Sequence, residues 1–458
     1  MKSQTLLLAS MSLALGLGAP TALHAQEGDG AQEDDRIADL EQEVANLGAA
    51  YEELMELYRE LHSQVVTGAG GVPSGDEFYI PRQAAEFEEA GLPQNMGSIY
   101  TKPFLADFGQ SAHVGGYIDL EFLDESDGSS REFDQHRLVP FIYADVSERV
   151  KVAAEVEIEH GSELEVEFAQ MDFLFNDYVN LRAGIQLLPL GKLNEVHDSP
   201  IQELTFRPLV NRYIIPTTLR DAGLGVWGDI SESVSYQATI TNGFKGLRND
   251  GSSAINNSSG LRDAAPQSDE LASEFENIDN HFAYTGRVAV SPVLGIEAGI
   301  SALFDKYDER ANNDLTIVAL DATINGKAVP GMPDNMELLY EGAWADIERD
   351  EFAKANDVAG DMTGHYVQAN FHFVPGFLEE CITEGGFAEE GSRFTFVTRY
   401  GNVDLDDYTM RRTTFGLNFR PNEAKTVWKL DYLSNDDNGA NKGDANANAW
   451  ALSFASYF

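Results

Sequence analysis

The stretch RVKVAAEVEIEHG, residues 149–161, sorts its side chains at every second position. Val150, Val152, Val156 and Ile158 share one face; Lys151, Glu155, Glu157 and Glu159 share the other. A period of two is the period of a β-strand. One face here is fully apolar and the other is charged. In a soluble sandwich the apolar face would meet a core rich in large aliphatics. In a barrel set in lipid it would face outward, and the charges would line a wet interior.

Working outward, the pattern recurs along the chain. HVGGYIDLEF (113–122) places Val114, Ile118, Leu120 and Phe122 opposite His113, Tyr117, Asp119 and Glu121. VSYQATITNGF, LGIEAGISALF, MELLYEGAW, RFTFVTRYG, TTFGLNF and KTVWKLDYL alternate in the same way. ANAWALSFASYF (447–458) ends the sequence with Trp450, Leu452, Phe454 and Phe458 on one face and small residues on the other, as a closing strand would. Candidate strands begin near residues 112, 134, 149, 164, 178, 219, 233, 281, 294, 314, 335, 364, 391, 411, 425 and 449. The fourth and tenth have a confused phase. Short connections such as SER, NDY, SES and RPNEA are expected to alternate with long polar ones. An even set of roughly ten-residue strands laid out as hairpins predicts an all-β, 16-stranded antiparallel transmembrane β-barrel over residues 111–458.

The preceding residues differ in kind. Lys2 followed by LLLASMSLALGLGA and ALHA reads as a signal peptide over residues 1–25, which implies export. Ile37, Val44, Tyr51, Tyr58 and Val65 are seven apart, and Leu40, Leu47, Leu54 and Leu61 fall three residues after the first four. That spacing predicts an N-terminal α-helical coiled coil over 35–66, hence self-association. Residues 67–110, with TGAGGVPSG, read as a linker.

The formal charge of −45 argues against a nucleic-acid partner. The single Cys381 leaves no intramolecular disulfide framework. There is no G-x-S-x-G or HExxH motif and the histidines are scattered, so neither enzyme chemistry nor a cofactor or metal is expected. No run of 18 apolar residues occurs, which excludes a spanning helix but not a barrel.

EFAQMDFLFNDYVNLRAGIQLLPLG (167–191), RPLVNRYIIPTTLRDAGLGVWGDISESVSYQATITNGF (207–244) and GHYVQANFHFVP (364–375) resemble the phosphate-selective porin O and P family. The resemblance implies a homotrimer of 16-stranded barrels in the outer membrane of a Gram-negative cell. Loops would fold inward, and the N-terminal segment would lie in the periplasm.

Alternation places Arg182, Arg287, Arg393, Arg399, Arg412 and Lys429 inward. Asp119, Glu121, Glu155, Glu157, Glu159, Glu165, Glu167, Glu297, Glu337 and Glu341 face inward with them, a distribution that predicts a transverse field. The connection from Pro189 to Thr218 is the candidate constriction. It carries Lys192, Glu195, Asp198, Arg207 and Arg212, with Arg220 just beyond, and its apolar runs LTFRPLV and RYIIP suit a segment packed inside a barrel. The expected function is passive diffusion of small hydrophilic solutes or ions, general or weakly selective, with cations favoured. A phosphate- or anion-selective channel is the alternative. So is a tether reaching the cell wall or a periplasmic protein through the coiled coil.

Overall fold

A computed structural model describes residues 112–147, 149–382, 386–422, 425–437 and 447–458. The expected signal peptide, coiled coil and linker lie outside these residues.

The alternating segments form sixteen strands: β1 (Ala112–Glu125), β2 (Arg131–Ser147), β3 (Val150–Glu159), β4 (Glu163–Leu174), β5 (Asn180–Leu187), β6 (Arg220–Ser231), β7 (Val234–Thr241) and β8 (Ala283–Val293). They continue as β9 (Ile296–Lys306), β10 (Asp314–Asn325), β11 (Met336–Ile347), β12 (Met362–Phe373), β13 (Arg393–Leu405), β14 (Thr409–Arg420), β15 (Thr426–Asp437) and β16 (Ala449–Tyr457). Each pairs antiparallel with its sequence neighbours, and β16 returns to β1, so the sheet closes. At the seam Tyr117 faces Tyr457 and Glu125 faces Ala449. Closure satisfies every ladder without an edge. Expected and observed strand starts differ by three residues at most, at β2, expected near 134 and beginning at Arg131.

The outer positions are apolar. Leu181, Leu224, Ile240, Tyr284, Ile300, Phe304, Trp344, Phe415, Trp450 and Phe454 are all exposed there, whereas Glu155, Glu157, Arg287, Glu297, Glu337, Glu341 and Lys429 are buried inside. The confused phase of β4 has a local cause. A bulge between the pairs Glu155↔Phe168 and Val156↔Val166 leaves Glu167 as the extra residue, so Glu167 and Phe168 are both buried. In β10 alternation is regular, but its inward Leu315, Ile317 and Ala319 are themselves apolar. Both faces of that half-strand are therefore greasy, and the period disappears from the sequence.

The expected alternation of short and long connections is only partly observed. On the end holding the long ones, 160–162 and 406–408 are as tight as turns elsewhere, and the opposite end carries the long connection 374–392. Length is concentrated in 188–219 and 242–282. Both pack a shared core with inward strand residues: Leu190, Tyr213, Ile214 and Ile215 from the first, Phe244, Leu247, Ile255 and Leu261 from the second, and Leu303, Leu315, Ile317, Met362 and Leu405 from the wall. The two connections are also tied directly, Leu261 N–H donating to Tyr213 O at 2.8 Å and Gln267 Nε2 to Pro216 O at 3.1 Å.

Gly184 in β5 has φ +127°, and a Cβ there would sit 2.2 Å from the Ala169 carbonyl oxygen of β4. Gly184→Val should destabilise the folded barrel by roughly 3 kcal/mol. The check is the urea midpoint in lipid vesicles; an unchanged midpoint would refute the close approach.

Candidate functional site

The connection 188–219 folds because its apolar residues find a core and its polar backbone finds charged partners. Leu188, Leu190, Leu209, Val210, Ile214, Ile215 and Leu219 are essentially fully buried, and a single helical turn, α1 (Val210–Tyr213), sits among them. Glu341 of β11 accepts from the backbone N–H groups of Lys192 and Leu193 at 2.8 and 2.9 Å and from Asn211 Nδ2 at 2.5 Å. Asp431 of β15 accepts from Thr205 N–H at 2.7 Å. Glu203 binds Arg420 at 3.1 Å and Asn418 at 2.8 Å, both on β14. Lys429 donates to Ser199 O at 2.8 Å, and Tyr457 to Asp198 Oδ2 at 2.7 Å. His197 Nε2 lies 2.6 Å from Glu167 Oε1, so the bulge residue of β4 is also an anchor.

These ties leave a cavity of about 540 Å³ bounded by β1–β4 on one side and by 193–218 on the other. Its carboxylates are Glu121, Glu132, Asp134, Glu157, Glu159 and Glu165; its guanidiniums belong to Arg137, Arg207, Arg212, Arg220, Arg262 and Arg412. All six acids come from β1–β4, whereas all the arginines except Arg137 come from the connections, the start of β6 and β14. Opposite charges therefore face each other across the space.

Of the residues expected at the constriction, Arg207, Arg212, Arg220 and Arg412 meet at this cavity. Arg212 lies over the Tyr213 ring at 5.6 Å, and Arg412 donates to Asn435 Oδ1 at 2.7 Å. Arg220 donates to Val166 O at 3.0 Å and pairs with Glu165. Arg207 donates to Thr217 O, while its Nη2 is buried with no hydrogen-bond partner among the described residues. Burial, and then neighbouring Arg137, pull the Arg207 guanidinium below its ordinary pKa.

The other expected residues are tied elsewhere. Arg182 binds Asp172 at 2.9 Å, and Arg287 binds Asp321 at 2.7 Å and Glu297 at 3.2 Å. Lys192 lies 3.3 Å from Glu297. Glu195 accepts from Gln237 at 2.5 Å; burial raises its carboxyl, and Arg287 opposes that rise. Asp198 meets Tyr457, and Arg399 holds Gln368 Oε1 at 2.8 Å and Phe206 O at 2.6 Å. Half-buried Arg393 acts electrostatically on Glu203.

Several cavity residues were not singled out from the sequence: Arg137, Arg262, Glu132, Asp134, His136 and His160. The signal available was DQHR (134–137) on β2, lying across the hairpin from His160.

No protein-family model matches this sequence. The outer membrane channel DcaP of Acinetobacter baumannii is similar in structure with a TM-score of 0.48 and 11% identity, covering 76% of this chain and 97% of that one. OmpF of Salmonella typhi, solved in complex with daunomycin, gives a TM-score of 0.48 and 9% identity over 76% of this chain and 97% of that one. OmpT of Vibrio cholerae in its trimer form gives 0.48 and 9% over 76% and 99%. These scores and identities are too low to assign a function. A protein of Aquifex aeolicus (strain VF5), described only as uncharacterized, is 30% identical over 346 residues, 70% of this chain and 75% of the relative. This chain belongs to the same family as that Aquifex aeolicus protein.

Proposed function

We propose that the chain is an outer-membrane porin that lets small hydrophilic solutes or ions diffuse passively through a barrel narrowed by 188–219. The observation that carries this reading is the inversion of the usual distribution, with apolar side chains exposed outside a closed sheet and charges buried inside it. Water would oppose that outer face, and a bilayer suits it. The mechanism requires no bond chemistry. Solutes exchange hydration for transient contacts with the cavity walls, and the facing carboxylates and guanidiniums orient dipolar solutes as they pass.

The barrel would act as a trimer with its N-terminal segment in the periplasm, as the porin O and P resemblance implies. Six carboxylates and six guanidiniums nearly balance at the cavity, so local charge confers weak selectivity. The net charge of −45 then concentrates cations at the mouths. The buried Nη2 of Arg207 favours a second reading, a phosphate- or anion-selective channel, because an anion would supply the partner it lacks.

The reversal potential of the purified protein in a planar bilayer under a KCl gradient tests both. A small cation-selective potential is expected, unaltered by phosphate. An anion-selective current blocked by low phosphate, and relieved in Arg207→Gln, would replace the first reading with the second. Absence of conductance would refute both.

A further inference from the structure

We propose that Asp134, His136 and His160 form a binding site for a borderline first-row divalent cation such as Zn²⁺, set in the acidic wall of the cavity. One ligand atom from each of the three lies within 4.8 Å of the others. His160 Nδ1 is 2.7 Å from Asp134 Oδ2, and His136 Nδ1 is 3.7 Å from the same oxygen. Donors around tetrahedral zinc stand roughly 3.3 Å apart at bond lengths near 2.0 Å, so small rotations of these side chains reach the required geometry.

The three residues come from β2 and from the β3–β4 turn, two different pieces of chain that the register of β2 and β3 brings together. A second group, Glu159, His160 and Glu163, meets the same spacing and shares His160, so its carboxylates add negative charge next to the site. Glu121 Oε1, 3.9 Å from His136 Nε2, adds negative charge from β1.

Two imidazoles with one carboxylate suit zinc, nickel or copper. Calcium and magnesium prefer an all-oxygen shell. Arg137 is the competitor. Its Nη2 lies 2.9 Å from His136 Nε2, so the ring proton then resides on Nδ1, and the ion gains this ligand only when the guanidinium lets the ring turn. Glu157 and Glu159, at 2.8 and 2.9 Å from Arg137, hold the guanidinium in place of the ring. His160 and Asp134 share a hydrogen bond, and a bound cation would take the place of its proton.

Calorimetric titration of the full chain in detergent with ZnCl₂, and separately with CaCl₂, tests the site. We expect one zinc per chain, with affinity falling at least about tenfold in His160→Asn and in His136→Gln, and no comparable calcium binding. Asn tolerates the φ of +51° at His160, so the first variant keeps its turn. Equal zinc affinity in wild type and both folded variants, or equal heats with calcium, would overturn the proposal. Its consequence for current rests on the porin reading: zinc on the side bearing the β3–β4 turn should reduce conductance by roughly half and shift selectivity towards anions, reversibly with EDTA. Zinc binding without any conductance would keep the site and sink the porin reading; conductance with no zinc binding would do the reverse.

Discussion

Glu341→Ala should raise single-channel conductance by roughly twofold or more, because conduction is set by the narrowest, solute-contacting stretch. The single carboxylate of Glu341 holds the Lys192 and Leu193 N–H groups and the Asn211 amide. Hydrogen bonds to a charged group contribute about 1.5–3 kcal/mol each, and a buried N–H left without a partner costs about 1–3 kcal/mol. Losing all three should free the stretch around Lys192, Leu193 and Asn211 locally, while the anchors at 197–205 and the sixteen strands stay in place. Glu341→Gln keeps the shape and an accepting oxygen, so its effect should be smaller.

An independent route leads to the same end. Gly191, at φ +69°, would bring a Cβ to 2.7 Å from Glu341 Oε1, so Gly191→Ala should also displace the segment. Single-channel recording, with heat-modifiable migration on gels as the control for folding, checks this. Unchanged conductance in a folded Glu341→Ala barrel would remove 188–219 from the conduction path.

Much of the barrel was legible in the sequence because a strand with an apolar outer side and a polar inner side must alternate, and RVKVAAEVEIEHG does so without interruption. Legibility failed where a second physical demand overlaid the first. The bulge at Glu167 changed the phase of β4 so that the residue could meet His197. Inward Leu315 and Ile317 erased the period of β10 because the two long connections needed an apolar wall to pack against.

The site was less legible for a different reason. Its ties join residues more than two hundred positions apart, such as Glu203 to Arg420 and Asp198 to Tyr457, and no local pattern encodes such partners. Alternation names Arg182 and Arg287 but not their partners: Arg182 is tied to Asp172 on adjacent β4, and Arg287 to Glu297 on adjacent β9 and to Asp321 on β10.

Filling one side of the interior with an apolar core leaves polar space beside β1–β4, so the separation of the acids from most of the arginines around the cavity is a by-product of how the connections pack. Variants that loosen the core should therefore alter selectivity without touching a charge. Variants of the acids should alter selectivity without altering the packing.

Acidification should loosen 188–219 in a narrow window, and Glu203 sets it. Burial alone would raise this carboxyl, but Arg420 and then Arg393 overcome that, with help from the Asn418 amide, and hold it at about 2 against an ordinary 4.5. A carboxyl depressed in the folded state contributes stability that is fully present above its unfolded pKa and is lost as pH falls through its folded one. The window therefore runs from about 4.5 down to about 2. Across it the tether loses about 3 kcal/mol, the free energy of the depression itself. Glu195 works in the opposite sense. Its raised carboxyl takes up a proton at higher pH than an unfolded chain would, so its protonation favours the folded segment and does not mimic the effect.

Wild-type channels should show growing open-state noise and rising conductance as pH falls through the window. Glu203→Gln, with no charge to lose, should already show that behaviour at pH 7 and change little below it. Arg420→Met removes the cation from the same pair, so Glu203 is depressed less, the window narrows, and the variant should show the loosened behaviour already at pH 7 with a weakened further response to acid. Identical pH profiles for wild type and Glu203→Gln, both folded, would show that the anchor on β14 does not hold the segment.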